Sequence, residues 1–286
     1  MALVENCHTL NLRDRVISTK YDAFIMGIVN ATKDSFWEKS RGGIERALQL
    51  IDEGADIIDI GAESTRPGAA YVKAEDEIKA IVPIIEAIRA KSDIAISIDT
   101  RKKSVMEAAF NAGADILNDV SALEDDEQMA LFAAEKKIPV ILMHKRGTPE
   151  NMQKNASYSN AFNEVDKYLK SRVDFALSSG IAKDKIILDP GIGFGKDLSA
   201  NLDLIAHAAN LLGGEYPVLM ALSRKTCIGQ VTSREVQDRM TGTITADLLS
   251  VLSGCSLVRV HDVGETVDSL KILHALKNCG WSVRGA

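Results

Sequence analysis

Eight short apolar runs, each followed by a stretch of helical periodicity, recur along this chain, and that rhythm restricts the fold more than any other feature. The runs cover residues 23–29, 56–60, 94–98, 115–117, 138–143, 185–188, 217–222 and 256–260. They are rich in Ile, Val, Leu and Met throughout and do not alternate with polar residues, which is the pattern of parallel strands covered by helices on their outer face. Helical candidates lie between them at 44–53, 75–91, 103–112, 127–136, 160–179, 201–212, 234–253 and 265–277. Gly54, Gly113, Gly180, Gly213, Gly254 and Gly280 stand where a helix end calls for a left-handed residue. From strand end to strand end the repeat is about 33 residues, the size of one βα unit. Eight such units fill one (β/α)8 TIM barrel, whereas a doubly wound open sheet more often stops at about five to seven strands. The expected architecture is therefore α/β, a single TIM barrel over residues 23–286 with a short N-terminal extension, residues 1–22. That extension is compatible with a small strand pair closing the barrel bottom or with a frayed tail.

Composition narrows the classes of function. At 286 residues and 46% apolar, the chain can bury a full barrel core without disulfides or structural metal. Its net charge of -6 gives no field-scale attraction for nucleic acid or an anionic membrane, so an anionic ligand must be held locally. No apolar run approaches the ~18 residues of a spanning helix, and the first residues show neither a basic nor an apolar segment of a secretory signal. A cytoplasmic enzyme is the expectation. Cys7, Cys227, Cys255 and Cys279 are scattered singly, without metal-site or disulfide spacing.

In a barrel of this kind the active site is built at the C-terminal ends of the strands, so the residues closing each run carry the chemistry. They are Asn30, then Ser64-Thr65-Arg66-Pro67-Gly68, Asp99, Asn118, His144, Asp189 with a glycine-rich stretch to Lys196, Ser223-Arg224-Lys225, and Arg259 with His261. One Asp after one strand is commonly just a helix cap. A mixture of His, Arg, Lys, Asn and Asp at successive strand ends is not explained by capping. Asp99, Asn118 and Asp189 suit a flat heterocycle rich in N–H donors. Arg66, Arg259 and His261, with the Thr65 hydroxyl, suit a phosphate or diphosphate. Asn30 can offer an oxygen to Mg²⁺, an ion that keeps several waters and uses substrate phosphates as ligands. Residues 191–196, GIGFGK, fail the Walker pattern because Pro190 and Asp197 occupy its first and last positions, and fail GxGxxG at Lys196. No GxSxG elbow is present, and His8, His207 and His274 lie away from the strand ends.

The blocks at 30–36, 59–68, 98–100, 118–121, 143–147, 189–196, 223–225 and 259–263 together resemble those of the dihydropteroate synthases, folate-pathway enzymes of the pterin-binding TIM-barrel family. The most specific pieces are STRPG, DPGIGFGK, SRK and RVHDV, and the likeness runs in order from about Met26 to Val263. It implies a Mg²⁺-dependent transferase that condenses 6-hydroxymethyl-7,8-dihydropterin diphosphate with 4-aminobenzoate, giving 7,8-dihydropteroate and pyrophosphate by an SN1-like route. By this resemblance Asp99, Asn118, Asp189 and Lys225 contact the pterin, and Arg259 stacks on its ring. Asn30, Arg66, Arg259 and His261 hold the diphosphate, with Asn30 also on the metal. Phe36, Thr65, Arg66, Pro67, Phe194 and Ser223 surround the aminobenzoate, and Arg66, Lys225, Arg259 and His261 carry the catalytic role.

Two departures from the family pattern stand out: Lys33 where Pro is usual in the first loop, and Ala221 where Gly is usual before the SRK triplet. Trp37 is an unusual filling of the same first loop. Lys33 is the motive for an alternative reading, a pterin-binding homologue without catalysis. A folate-dependent methyltransferase shares the barrel but has no need for STRPG or the Arg259 and His261 pair. The resemblance further implies inhibition by sulfonamides, which mimic aminobenzoate, and a homodimer formed through helices on the barrel exterior.

Overall fold

β-Branched and apolar runs of this length form a ladder when helices can cover their outer face, and the chain provides both. The computed structural model describes residues 7–31, 42–62, 72–147 and 156–282. Two short strands, β1 (Thr9–Asn11) and β2 (Val16–Ser18), form an antiparallel pair. The main sheet comprises β3 (Phe24–Asn30), β4 (Ile57–Gly61), β5 (Ala95–Asp99), β6 (Ile116–Asp119), β7 (Val140–Met143), β8 (Ile186–Asp189), β9 (Leu219–Met220) and β10 (Leu257–Val260). All its pairings are parallel, in the order β8-β7-β6-β5-β4-β3-β10-β9, and a bridge between Leu188 and Val218 joins the two ends. The sheet is thus a closed eight-stranded barrel, the architecture that the eight apolar runs imply.

The helices are α1 (Gly43–Glu53), α2 (Ala74–Arg89), α3 (Lys103–Ala112), α4 (Met129–Lys136), α5 (Ala161–Ser178), α6 (Leu198–His207), α7 (Thr226–Thr232), α8 (Met240–Leu252) and α9 (Val263–Asn278). Two differ in kind from the sequence expectation. The helix expected at 201–212 starts earlier, because the Asp197 side chain caps it by accepting from Ala200 N at 2.8 Å. After His207 it continues as a 3₁₀ segment, Ala208–Gly214, in which Leu212 and Gly213 leave the helical region. The helix expected at 234–253 is preceded by a separate one, α7, which begins directly after Lys225 and ends at a left-handed Ser233. The six expected glycine stops all have positive φ.

Strand parity divides the core into two clusters. Side chains of one parity, such as Ile25, Ile58, Ile96, Leu117, Val140 and Val258, pack outward under the helices. Those of the other, Phe24, Met26, Ile57, Ala95, Ile116, Ile141, Ile187, Leu219 and Leu257, fill the barrel bottom together with Leu10 and Leu12 from the N-terminal pair. Each fully buried Phe, Met, Ile, Leu or Val among them contributes about 1.5–3 kcal/mol relative to exposure. Moving up the same inward parity, the apolar layer gives way to Asn30, Asp59, Asp99, Asn118, Asp189 and Arg259. Among the described residues no helix is long and apolar enough to cross a membrane.

Candidate active site

Asn30, Asp99 and Asp189 are the last residues of their strands and Asn118 the last but one, where the sequence alone placed them just beyond; Asp59 and Arg259 lie within theirs. The ladder carries them in one line: Asn30 pairs in register with Gly61, Gly61 with Asp99, and Asp99 with Asn118. Met143 pairs with Asp189 on the far side. Backbone hydrogen bonding therefore fixes the height of these groups, and side-chain parity fixes that they face one another. Asp119, adjacent to Asn118, has the opposite parity. Its buried carboxylate accepts from Ser121 N, Ser121 Oγ and Leu123 N at 2.6–2.8 Å, which shapes the turn after β6.

Arg259 is the centre of the cluster. Its Nε donates to Asp59 Oδ2 at 2.6 Å and its Nη2 to Asp99 Oδ2 at 2.9 Å. Asn118 Nδ2 lies 3.3 Å from both oxygens of Asp59. Burial disfavours charge on Arg259, but the carboxylates of Asp59, Asp99 and Asp189 outweigh it and hold the guanidinium more firmly protonated than usual. Burial pushes the Asp99 carboxyl well up; Arg259 opposes the shift, and the nearby Asp59, Asp119 and Glu77 add to it. Glu77, buried on α2, accepts from Thr100 Oγ1 at 3.1 Å and pairs with Lys102, tying the start of α2 to the turn after β5.

The glycine-rich segment after β8 forms a rigid wall. Asp189 Oδ1 accepts from Gly191 N at 2.7 Å, and His144 N donates to Asp189 O at 3.0 Å. Gly191 has φ +68°, and a Cβ there would lie 1.8 Å from His144 O; at Gly195 (φ +66°) the corresponding approach is 2.3 Å to Arg146 O. Only glycine permits both the dihedral and the backbone contact. Lys196, buried, closes the loop from within: its Nζ lies 2.8 Å from His144 Nδ1 and donates to the carbonyls of Gly191 at 2.8 Å and Phe194 at 3.1 Å. Burial lowers the Lys196 amine well below its ordinary value, and burial with the neighbouring Lys196 charge drops His144 to about 2. His144 is a neutral acceptor within this wall.

Lys225 reaches across from the loop after β9. Its Nζ donates to Ile192 O and sits 5.0 Å from the centre of the Phe194 ring. Loss of hydration lowers it to about 8, against the attraction of Asp189. Burial likewise raises the Asp189 carboxyl, opposed by Lys225 and Gly191 N. Ser223 Oγ accepts from His261 N at 3.1 Å and lies 2.9 Å from His261 Nδ1, so these two side chains are one unit. Arg224, between them in sequence, turns away. It forms a two-pronged pair with Asp262 at 2.9 Å and donates to the carbonyls of Val236 and Gln237, a structural role.

The structure thus brings together Asn30, Asp99, Asn118, Asp189, Phe194, Ser223, Lys225, Arg259 and His261 around one barrel mouth. Phe36, Thr65, Arg66 and Pro67, together with Lys33 and Trp37, lie outside the described residues. Sequence reasoning placed His144 and Lys196 among the strand-end polar residues without giving either a role, and it missed Asp59. For Asp59 a signal was present, since it shares the inward parity of Asp99 and Arg259. The arrangement offers two acidic acceptors and an amide for the edge of a flat, donor-rich ring, with cations beside it for an anion. Among the described residues no three His, Cys, Asp or Glu side chains cluster to hold a metal ion.

A sequence profile described as pterin binding enzyme matches residues 26–261. The chain belongs to the pterin-binding enzyme family. Similar members of that family include a protein named dihydropteroate synthase from Escherichia coli, 39% identical over 259 residues, covering 88% of this chain and 90% of the relative. Among solved structures of the family, a Xanthomonas albilineans dihydropteroate synthase with 4-aminobenzoic acid superposes with a TM-score of 0.86 at 39% identity, covering 94% of this chain and 98% of the other. A dihydropteroate synthase from the same organism, in complex with 7,8-dihydropteroate, gives a TM-score of 0.82 at 36% identity, covering 95% and 99%. The blocks that carry the family resemblance in sequence are the ones that meet at the barrel mouth, as far as they are described.

Proposed function

We propose that this chain condenses 6-hydroxymethyl-7,8-dihydropterin diphosphate with 4-aminobenzoate, releasing pyrophosphate and 7,8-dihydropteroate in folate biosynthesis. The observation that carries the reading is Arg259 bridging Asp59 and Asp99 within a ring of inward polar strand ends that includes Asn118, Asp189 and Lys225. That ring supplies acceptors for a pterin edge and a cation beside it; the relatives' names supply the reaction class.

In this mechanism Asp99, Asn118, Asp189 and Lys225 hold the pterin, and Arg259 stacks on it while reaching the diphosphate with His261, Arg66 and Asn30. As the C–O bond to the diphosphate breaks, negative charge grows on the leaving group, where Arg259 and His261 are already fixed by Asp59, Asp99 and Ser223. The positive charge left on the pterin methylene is spread over the electron-rich ring and favoured by the neighbouring carboxylates. The neutral amine of aminobenzoate, held against Phe194 and Ser223 with Phe36, Thr65, Arg66 and Pro67, then forms the C–N bond and loses its proton. The donor set fits a Mg²⁺ that arrives on the diphosphate, because Asn30 provides a neutral oxygen and, among the described residues, no three His, Cys, Asp or Glu side chains are arranged to hold the bare ion. When bound, the ion would neutralise part of the charge on the leaving group.

The same reading places the enzyme in the cytoplasm and makes it a target for sulfonamides as aminobenzoate mimics. The reading includes a homodimer formed through helices on the barrel exterior, where Leu202, Val231 and Leu249 of α6, α7 and α8 are among the exposed apolar side chains. Titration of the purified chain with the pterin diphosphate tests the substrate assignment. Saturable one-to-one binding that is lost in Asp189→Ala supports it; equal binding of unrelated diphosphates contradicts it.

A further inference from the structure

Asp59 is fully buried, at 0% exposure, and lies beneath the groups that face the ligand. It nonetheless joins two of them. Both oxygens lie 3.3 Å from Asn118 Nδ2, and Oδ2 accepts from Arg259 Nε at 2.6 Å. A carboxylate only accepts, so the amino end of the Asn118 amide must be the end turned to Asp59, and the amide oxygen is left for the ligand. The guanidinium is planar and rigid, so fixing its Nε and Nη2 edge between Asp59 and Asp99 sets the plane of the whole group and leaves Nη1 as its outward donor.

We propose that Asp59 is a positioning residue that writes the hydrogen-bonding pattern of the pterin site: it orients Asn118 as an acceptor toward the ring and holds Arg259 in the plane from which it reaches both the ring and the diphosphate. The proposal rests on the synthase reading above. Its consequence is specificity. With the amide oxygen presented, Asn118 selects a ring edge that donates an N–H, and a heterocycle that offers only acceptors there meets an unpaired oxygen.

The test uses the full chain, with Asp59→Asn and Asp59→Glu. Asp59→Asn keeps the shape but can face either end of its amide to Asn118, and it removes the anion from Arg259. Expected is a fall of kcat/KM for the pterin diphosphate of ~100-fold, with KM for aminobenzoate within about threefold, because only the first substrate meets Asn118 and Arg259. The acid limb of pterin binding moves to lower pH in the same variant. Asp99 faces Arg259 of β10, Asp59 of β4, Asp119 of β6 and Glu77 of α2, with Lys225 nearby, and Asp59 is one of the anions that raise it. A purely structural defect would scale the active fraction without moving that limb or separating the two KM values. Asp59→Glu keeps the charge and displaces it by one methylene, so the limb stays in place while kcat/KM falls by about tenfold. Where Asp59→Asn gives no folded chain, the Glu variant decides alone. Wild-type turnover with either folded variant within threefold of it, or with both KM values rising together, overturns the role of Asp59. Absence of wild-type turnover overturns the synthase reading instead, and the proposal with it.

Discussion

Gly191→Ala separates backbone crowding from backbone dihedral as the reason for glycine in the wall after β8. Gly191 and Gly213 have nearly the same dihedral, φ +68° and +70°, but a Cβ at Gly191 would lie 1.8 Å from His144 O whereas at Gly213 nothing lies within 4 Å. Both alanine variants carry the left-handed penalty of about 1–2 kcal/mol. Gly191→Ala must also push the two loop backbones apart by more than an ångström. That displacement breaks some of the bonds joining them: His144 N to Asp189 O at 3.0 Å, Lys196 Nζ to His144 Nδ1 at 2.8 Å and Lys196 Nζ to His144 O at 3.3 Å. Leaving even one such buried group unpaired adds about 1–3 kcal/mol. Since about 1 kcal/mol corresponds to roughly 2–4 °C in a chain of this size class, Gly213→Ala should lower Tm by about 2–8 °C and Gly191→Ala by clearly more. Binding should separate them too, because the wall also carries Ile192 O, the acceptor of Lys225. Paired thermal melts and pterin titrations give the answer. Equal losses of Tm, with pterin binding retained in both variants, would refute the crowding argument.

Asp247 on α8 is buried with neither carboxylate oxygen partnered among the described residues, and burial raises its pKa well above the ordinary value. A raised folded-state value means that stability is fully present below the unfolded value near 3.8 and is lost as pH rises from there, so Asp247→Asn should raise Tm at pH 7 and lose that advantage toward pH 4; a difference independent of pH in calorimetric scans would contradict this. Lys225, lowered to about 8, carries its charge below that pH, so pterin binding should weaken on an alkaline limb near pH 8, and Lys225→Arg should move the limb upward. A pH-independent dissociation constant between 7 and 9 would exclude the assignment. Chelation of Mg²⁺ should abolish turnover while leaving the affinity for 6-hydroxymethylpterin, which lacks the diphosphate, within about threefold; loss of both would place the metal with the ring.

Much of the barrel is legible in the chain because its signal is periodic. Strands such as 23–29 and 138–143 are apolar throughout, and each is bounded by residues unfit for a core. The strand ends are misread by a residue or two for a physical reason: Asn30, Asp99, Asn118 and Asp189 continue the hydrogen-bonded ladder although their side chains are polar. Helix α7 is hidden because it opens directly from the SRK segment with no side-chain cap and spans only seven residues. Site residues that point at the ligand were visible as strand-end polar groups. The pairings beneath it were not: Lys196 and His144 are linked across 52 residues, and Asp59 meets Arg259 across 200. Such pairs become visible only once the barrel is closed. Inward parity alone would have placed Asp59 in the site, since it is two residues before Gly61, the register partner of Asp99.

The central claim is that the ring around Arg259 performs the condensation. Incubating the purified chain with 6-hydroxymethyl-7,8-dihydropterin diphosphate, 4-aminobenzoate and Mg²⁺, and quantifying pyrophosphate and 7,8-dihydropteroate together, tests it most directly. Equimolar appearance of both products, lost in a folded Arg259→Ala variant, is the predicted result. Pterin binding without either product, or turnover unchanged by the substitution, would contradict it.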